Sequence, residues 1–235
     1  MAGFELSKDD QDFINKIDAR FPGRRIAENF ADFLERDARM RPLIAAFKMN
    51  FVDREGWNEI GVKPRVQSLQ NHVETMLAML HHLTQDDLDA KHIAAMIEIH
   101  DIQETVTSDF TWDDDITKDE KLRIERLAIN IIFENHPEKI ALWEEYAAKQ
   151  TPAAKWANDI DKLETVYEAE TLEEKNPDIR HLVIQFKKNT KDALKTDQGL
   201  RIFNHLMETA DLGVALGKKS MRITETADFL RHTPG

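Results

Sequence analysis

Apolar residues along this chain recur at intervals of three and four positions, a spacing that places them on one face of an α-helix. Examples are Val73, Met76, Leu77 and Leu80, then Ile124, Leu127 and Ile131, and later Ile160, Leu163, Val166 and Tyr167. Alternation of apolar and polar residues, which is typical of a half-buried strand, extends over no useful length, and only 8 glycines are available for turns. The pattern therefore predicts an all-α protein.

The same pattern predicts a series of helices separated by proline, glycine and other helix-breaking residues. They cover residues 7–20, 24–38, 42–52, 68–83, 88–101, 118–135, 137–149, 152–175, 178–194 and 198–216. Residues 53–67 contain two glycines, one proline and few apolar residues, and they form the longest irregular connection. Because long connections often carry function, we expect a functional loop there.

Composition limits the classes of protein that fit. A chain of 235 residues with 41% apolar composition can bury a substantial core. A net charge of -12 argues against binding to a nucleic-acid polymer, which requires many Lys and Arg to neutralise phosphates. The N-terminus is too charged for a signal peptide, and no apolar run approaches the ~20 residues of a membrane helix. We therefore expect a soluble, cytoplasmic protein that binds neither a nucleic-acid polymer nor a membrane.

A group of histidine and acidic residues follows the apolar helical run HIAAMIEI. His100 and Asp101 are adjacent at its end, Glu104 comes three residues later, and Asp109 comes five residues after that. On a continuing helix the side chains of His100 and Asp101 would diverge by about 100°, so both can face one ion most easily where the helix ends. With no cysteine in the chain, a metal would be bound through nitrogen and oxygen, and imidazole suits first-row transition metals.

Two other predicted helices supply candidate ligands. His72 lies on the helix before that of His100, and the short connection makes the two helices antiparallel neighbours. Asp161 lies in the middle of a helix beside apolar residues, where an acid without a partner would be costly. It is either a metal ligand or the partner of a buried N–H group or arginine. Asp159, on another face of that helix, is expected to be exposed to solvent.

At His72, the pair His100-Asp101 and Asp161, the chain resembles the H…HD…D signature of the HD-domain metal-dependent phosphohydrolases. It is most similar to their 5′-deoxynucleotidase branch. The segment HDIQETVTSD matches the pattern H-D-x-x-E-x-x-x-G-D of that branch, with Ser108 in place of the glycine. The resemblance implies one divalent transition-metal ion, such as cobalt, manganese, iron or zinc, on these four ligands.

Motifs upstream extend the resemblance, which covers roughly residues 54–195. The segment REGW at 54–57 matches an R-x-G-W motif of the family, and Arg65 stands seven residues before the first histidine, where the family also tends to have an arginine. The family fold is a helical bundle, expected here at residues 54–216. Residues 1–53 have no recognised counterpart and are expected to form an N-terminal helical extension, while residues 217–235 form a C-terminal tail.

The resemblance also implies roles for residues that do not bind the ion. Glu104 would orient or deprotonate the attacking water. Asp109 would accept a hydrogen bond from a 3′-hydroxyl of the sugar. Arg54 would bind the phosphate, for which its planar guanidinium is suited, and Arg65 is also expected to bind the substrate. Trp57 would shape the sugar pocket and disfavour a 2′-hydroxyl.

The implied function is hydrolysis of a small phosphomonoester, namely a deoxynucleoside 5′-monophosphate. The alternatives are an HD phosphohydrolase of another phosphorylated metabolite, a two-iron HD oxygenase and a non-catalytic helical interaction module. Two-metal members normally have a pair of histidines between the HD pair and the last aspartate. Here only His136 lies there, which favours one metal. Neither Glu104 nor a ligand is lost, which favours an enzyme, and we expect a homodimer.

Overall fold

Helices form nearly all the regular structure in the computed structural model, which describes residues 4–59, 67–83, 88–111, 113–175, 187 and 189–215. They are α1 (Lys8–Arg20), α2 (Ile26–Glu35), α3 (Arg41–Lys48), α4 (Glu55–Glu59), α5 (Leu69–Leu83), α6 (Ala90–Ile97), α7 (Glu104–Thr107), α8 (Lys118–Ile132), α9 (Pro137–Ala148), α10 (Pro152–Lys175) and α11 (Asp197–Ala215). A 3₁₀ helix, Pro22–Arg24, follows α1. Within the described ranges the β-type pairing is limited to an isolated bridge between Asp53 and Ser68. The prediction of an all-α protein is confirmed.

Most helices begin and end close to their predicted positions, because local capping groups determine these ends. Ser7 accepts a hydrogen bond from the amide of Asp10 at the start of α1. Thr117 and Glu120 form a reciprocal capping box at the start of α8. The predicted helix at 178–194 lies mostly outside the described residues, and its described part at 189–193 is helical.

Two stretches differ from the predictions. The helix expected to reach residue 101 ends at Ile97, because the chain then forms turns with hydrogen bonds between residues three apart. One of these joins the amide of Glu104 to the carbonyl of Asp101 at 3.0 Å and leads into α7, which was not predicted. The connection at 53–67 was predicted to be irregular but contains α4, while its residues 60–66 lie outside the described part of the chain.

The chain divides into two compact units, of which the first contains residues 1–59, 65–71 and 98–144. In this unit α1 packs on α2, and both α2 and α3 pack on α7 and α8. The apolar stripes of these helices are buried, with Ile14, Ile17, Ile26, Phe30, Phe33, Ile124, Ile129 and Ile131 forming much of the core. The buried Arg41 side chain in α3 donates to the Glu134 carboxylate at 2.6 Å and to the backbone carbonyl of Ile131 at 3.3 Å. The N-terminal helices are therefore integrated into this unit.

The second unit contains residues 60–64, 72–97 and 145–235, and α10 packs there on α6 and on α11. Asp159 in α10 was expected to be exposed, and that expectation is wrong, because its carboxylate is fully buried at the start of α11. It accepts hydrogen bonds from the backbone amides of Lys195 and Thr196 at 2.7 and 2.8 Å. None of the helices that the structure describes is long and apolar enough to cross a membrane.

Candidate active site

His72 in α5 meets two carboxylates of α10 in the second unit. Its Nδ1 lies 2.7 Å from Oε2 of Glu164, and its Nε2 lies 3.4 Å from Oδ1 of Asp161. A hydrogen bond from Nδ1 to a carboxylate places the proton on Nδ1 and the lone pair on Nε2. His72 and Glu164 are both fully buried. Glu164 therefore orients the imidazole so that Nε2 is the atom suited to bind a metal.

Glu164 was not among the residues identified from the sequence. It follows Asp161 by three positions in α10, so both carboxylates lie on neighbouring positions of one helix face. That spacing of two acids among apolar residues was a signal for a second functional carboxylate. Asp161 also lies 2.8 Å from the ammonium group of Lys162, and the hydroxyl of Tyr146 is 3.5 Å from Oδ2 of Asp161.

His100 and Asp101 lie in the turns between α6 and α7, in the first unit. The buried His100 has its Nε2 2.9 Å from Oδ2 of Asp101, an approach between adjacent residues that the helix end permits. The indole N–H of Trp143 donates to the carbonyl of His100 at 3.3 Å and to the side-chain oxygen of Gln103 at 3.1 Å. Trp143 therefore holds these turns in place from α9.

Glu104 is the first residue of α7 and has a buried carboxyl group. Its Oε2 accepts no hydrogen bond from any part of the chain that the structure describes. Burial is the main reason that the pKa of Glu104 lies well above its usual value, and the charges of Asp101 and Asp109 raise it further, while Lys121 opposes them. A buried carboxyl with a raised pKa is suited to accept and release a proton.

Asp109 and the REGW segment are brought together in the first unit. The backbone amide of Glu55 donates to Oδ2 of Asp109 at 3.0 Å. The amide of Trp57 donates to the carbonyl of Arg54 at 3.2 Å, and the Trp57 side chain is buried. Arg54 and Trp57 therefore belong to the same short segment that contacts Asp109, whereas Arg65 lies outside the described residues.

Three of the four expected metal ligands form a buried group. His72, His100 and Asp161 each offer one ligand atom, and these atoms lie within 4.8 Å of one another. Asp101 is not in this group, although its carboxylate contacts His100. Two imidazoles and a carboxylate form a donor set that suits a first-row transition metal, and the orientation of His72 by Glu164 is typical of metal-binding histidines. The residues present therefore fit a divalent ion.

Comparison with known proteins agrees with the helical fold. The family model described as the HD domain matches residues 46–200, which is more than half of the chain. The chain belongs to the HD-domain family.

Named relatives and a solved structure extend this comparison. The 5′-deoxynucleotidase HDDC2 of Homo sapiens is 30% identical over 128 residues, which cover 52% of this chain and 62% of that protein. The 5′-deoxynucleotidase HDDC2 of Dictyostelium discoideum is 32% identical over 135 residues, which cover 52% of this chain and 70% of that protein. The match to the human protein thus spans less than two thirds of its length. A conserved hypothetical protein from Pyrococcus furiosus shares the fold, with a TM-score of 0.60 at 20% identity over 71% of this chain and 98% of its own.

Proposed function

We propose that this protein is a metal-dependent phosphohydrolase that releases phosphate from deoxynucleoside 5′-monophosphates. The observation that carries the proposal is the buried group of His72, His100 and Asp161, which occupies the motif positions on which the family resemblance rests. The 5′-deoxynucleotidase names of the relatives support the choice of substrate. A homodimer, a cytoplasmic location and a domain boundary at residue 53 stay predictions.

His72, His100, Asp101 and Asp161 would hold one divalent ion, and cobalt, manganese, iron and zinc are the candidates. When bound, such an ion supplies Lewis acidity toward the phosphoryl group and lowers the pKa of water. The Glu164 carboxylate keeps the proton of His72 on Nδ1, which leaves Nε2 as the ligand atom.

Glu104 is proposed to hold the attacking water and to take its proton at the buried Oε2. The water oxygen then bonds to phosphorus, the bond between phosphorus and the 5′-oxygen breaks, and the 5′-oxygen leaves with a proton. The burial that raises the pKa of Glu104 favours this acceptance of a proton. The carboxyl can return the proton to the leaving oxygen in the same cycle.

Substrate binding is assigned to Arg54, Trp57, Asp109 and Arg65. The Arg54 guanidinium can bind the phosphate with two parallel hydrogen bonds. Because Oδ2 of Asp109 accepts the amide hydrogen of Glu55, its Oδ1 can accept a hydrogen bond from the 3′-hydroxyl. Trp57 would disfavour a 2′-hydroxyl.

The described residues fit a two-metal oxygenase less well than a hydrolase with one metal ion. His136, which is the histidine between the HD pair and Asp161, has a side chain that is 44% exposed, and its Nδ1 lies 3.2 Å from a carboxylate oxygen of Glu138. Within the described part of the chain, one group of metal-binding character was found. These observations favour one ion and hydrolysis.

A hydrolysis panel tests the proposed function. The purified protein is loaded in turn with cobalt, manganese, iron or zinc and given every 5′-deoxynucleotide and 5′-ribonucleotide, together with non-nucleotide phosphomonoesters. We expect phosphate release from deoxynucleotides in preference to ribonucleotides, and its loss on chelation. If phosphate is released from non-nucleotide esters alone, the protein is a phosphohydrolase with another substrate class. If no phosphate is released with any loaded metal, the proposal is contradicted.

A further inference from the structure

The residues between α7 and α8 form a loop that carries Asp109. We call residues 108–111 and 113–115 the Asp109 loop. From the side of α8, the ammonium group of Lys121 donates to the carbonyl of Phe110 at 2.7 Å. Within the loop, the amide of Thr111 donates to Oδ2 of Asp114 at 2.6 Å. These contacts fix the loop on one side, next to the residue that is assigned to the sugar.

Arg24 reaches the same loop from the N-terminal helices. Its Nη2 lies 2.9 Å from both carboxylate oxygens of Asp114. The side chains of this pair are only 18% and 11% exposed, so water screens the ion pair less than it would on an open surface.

An aromatic contact accompanies this ion pair. The Arg24 guanidinium lies 4.7 Å from the ring centre of Phe110 and 5.1 Å from that of Phe21, within the range of cation–π attraction. The two rings meet edge to face at 5.3 Å. Phe110 directly follows Asp109 in the sequence. Arg24 therefore contacts both this neighbour of Asp109 and Asp114, which accepts a hydrogen bond within the same loop.

Asn29, five residues after Arg24, forms a hydrogen bond to α7. The side-chain amide of Asn29 donates to the carbonyl of Val106 at 3.1 Å and to the carbonyl of Arg24 at 3.2 Å. One short stretch of the N-terminal helices is therefore joined to the chain on both sides of Asp109.

We propose that Arg24 is a positioning residue for substrate recognition, which acts through Asp114 and Phe110 to hold Asp109 where it can accept a hydrogen bond from the 3′-hydroxyl. This inference rests on the proposed function. It gives the N-terminal helices α1 and α2, which precede the family match at residues 46–200, a part in substrate selection although Arg24 itself does not touch the substrate.

The preference for a 3′-hydroxyl provides a direct test. The measured quantity is the ratio of kcat/KM for a deoxynucleoside 5′-monophosphate to kcat/KM for its 2′,3′-dideoxy analogue. Asp109→Ala is expected to remove this preference, which should be about 10- to 100-fold in the parent, the usual effect of a hydrogen bond to a charged group. Arg24→Gln is expected to lower the preference about 2- to 30-fold, the usual size of an effect that acts through neighbouring residues. Arg24→Lys keeps the positive charge but cannot contact both carboxylate oxygens of Asp114 in the same way. Its preference for a 3′-hydroxyl should lie between that of the parent and that of Arg24→Gln.

Arg123→Gln is the matched control. The Arg123 guanidinium also contacts two carboxylates, those of Asp9 and Asp10, and lies 4.2 Å from the ring centre of Phe13. The Arg123 side chain is 41% exposed, so its loss should cost less stability than the loss of Arg24, and it should leave the 3′-hydroxyl preference unchanged. Equal loss of preference in Arg123→Gln and Arg24→Gln would overturn the inference, because it would show a general effect of destabilisation.

Amide hydrogen exchange separates this inference from the proposed function, because it needs no activity. In Arg24→Gln the amides of Thr111 and Glu55, which donate to Asp114 and Asp109, should exchange at least ~10-fold faster, while amides in the middle of α8 should not change. Unchanged exchange at both amides would overturn the inference whatever the substrate. If the exchange is faster but the parent protein has no 3′-hydroxyl preference, the failure lies with the role proposed for Asp109, and the structural action of Arg24 stands.

Discussion

Ser108 adopts a φ of 63° and a ψ of 163°, a backbone conformation that is almost confined to glycine. The family pattern has glycine at this position, and the structure gives the reason. A residue with a Cβ atom is strained there by of order 1–3 kcal/mol.

Replacing Ser108 with glycine is therefore expected to stabilise the protein. We expect Ser108→Gly to raise the free energy of unfolding by ~1 kcal/mol, because relief of strain exceeds the entropy that glycine adds to the unfolded chain. Chemical denaturation measures this difference. Ser108→Ala, which removes the hydroxyl but keeps the strain, is the control and should give no gain; a glycine variant less stable than the parent would contradict the argument.

Glu104 provides a second prediction at the scale of one residue, because its proposed role concerns the water rather than the ion. Glu104→Ala should keep the metal content of the parent while lowering the turnover rate by ~10²- to 10⁴-fold, the range for losing a positioned acid or base. Asp161→Ala should instead release the metal. Metal analysis and phosphate release on both variants separate the two roles. A metal-free Glu104→Ala protein, or one as fast as the parent, would show that the assignment is wrong.

At the scale of the element, α10 places Asp161 and Glu164 on one face, where both approach His72. Glu164→Gln should weaken metal binding by about 10- to 100-fold, since carboxylates that orient metal-binding histidines have effects of this size. The metal affinity is measured by isothermal titration calorimetry, in which the metal ion is added to the metal-free protein. Glu173→Gln, further along the same helix, is the control. Equal affinities for the Glu164 variant and the parent would contradict the role given to Glu164.

The start of α11 depends on a close approach between two helices. A Cβ atom added to Gly199 would lie 2.4 Å from Oδ2 of Asp159, closer than real atoms pack. Gly199→Ala should therefore destabilise the protein by about 1–3 kcal/mol, although alanine favours helices over glycine. Thermal unfolding monitored by circular dichroism tests this. Gly23→Ala is the control, because a Cβ atom there meets no atom within 4 Å; similar melting of both variants would contradict the prediction.

At the scale of the whole molecule, the N-terminal helices supply part of the core of the first unit. Ile14, Ile17, Phe30 and Phe33 are at most 1% exposed. Burying one such side chain contributes ~1.5–3 kcal/mol, so four contribute about as much as the total stability of a typical domain, ~5–15 kcal/mol.

A chain that begins at residue 50 is accordingly expected to lose cooperative unfolding. Circular dichroism during thermal unfolding is the measurement, and a chain that begins at Ser7, which keeps the cap of α1, is the control. The sequence predicts that residues 1–53 form an N-terminal helical extension, and we expect this extension to lie outside the catalytic site. A shortened chain that is folded and fully active would show that the extension is dispensable.

Local features of the sequence determined the helices and the positions of the proposed metal ligands. Helical periodicity and caps depend on residues a few positions apart, so α1, α5, α8 and α10 could be predicted within a few residues. The motif HDIQETVTSD likewise lies within ten residues and can be recognised without tertiary structure.

Tertiary structure decided what depends on residues far apart in the chain. The burial of Asp159 depends on amides 36 and 37 positions later, and the hydrogen bond of Glu164 depends on His72, 92 positions earlier. Arg24 meets Asp114 across 90 positions. No periodicity or spacing encodes such pairs, because each forms only when packing of the helices brings the two segments together. For the same physical reason, Asp159, which was expected in solvent, binds the backbone amides at the start of α11, and Arg24 lies beside the Asp109 loop.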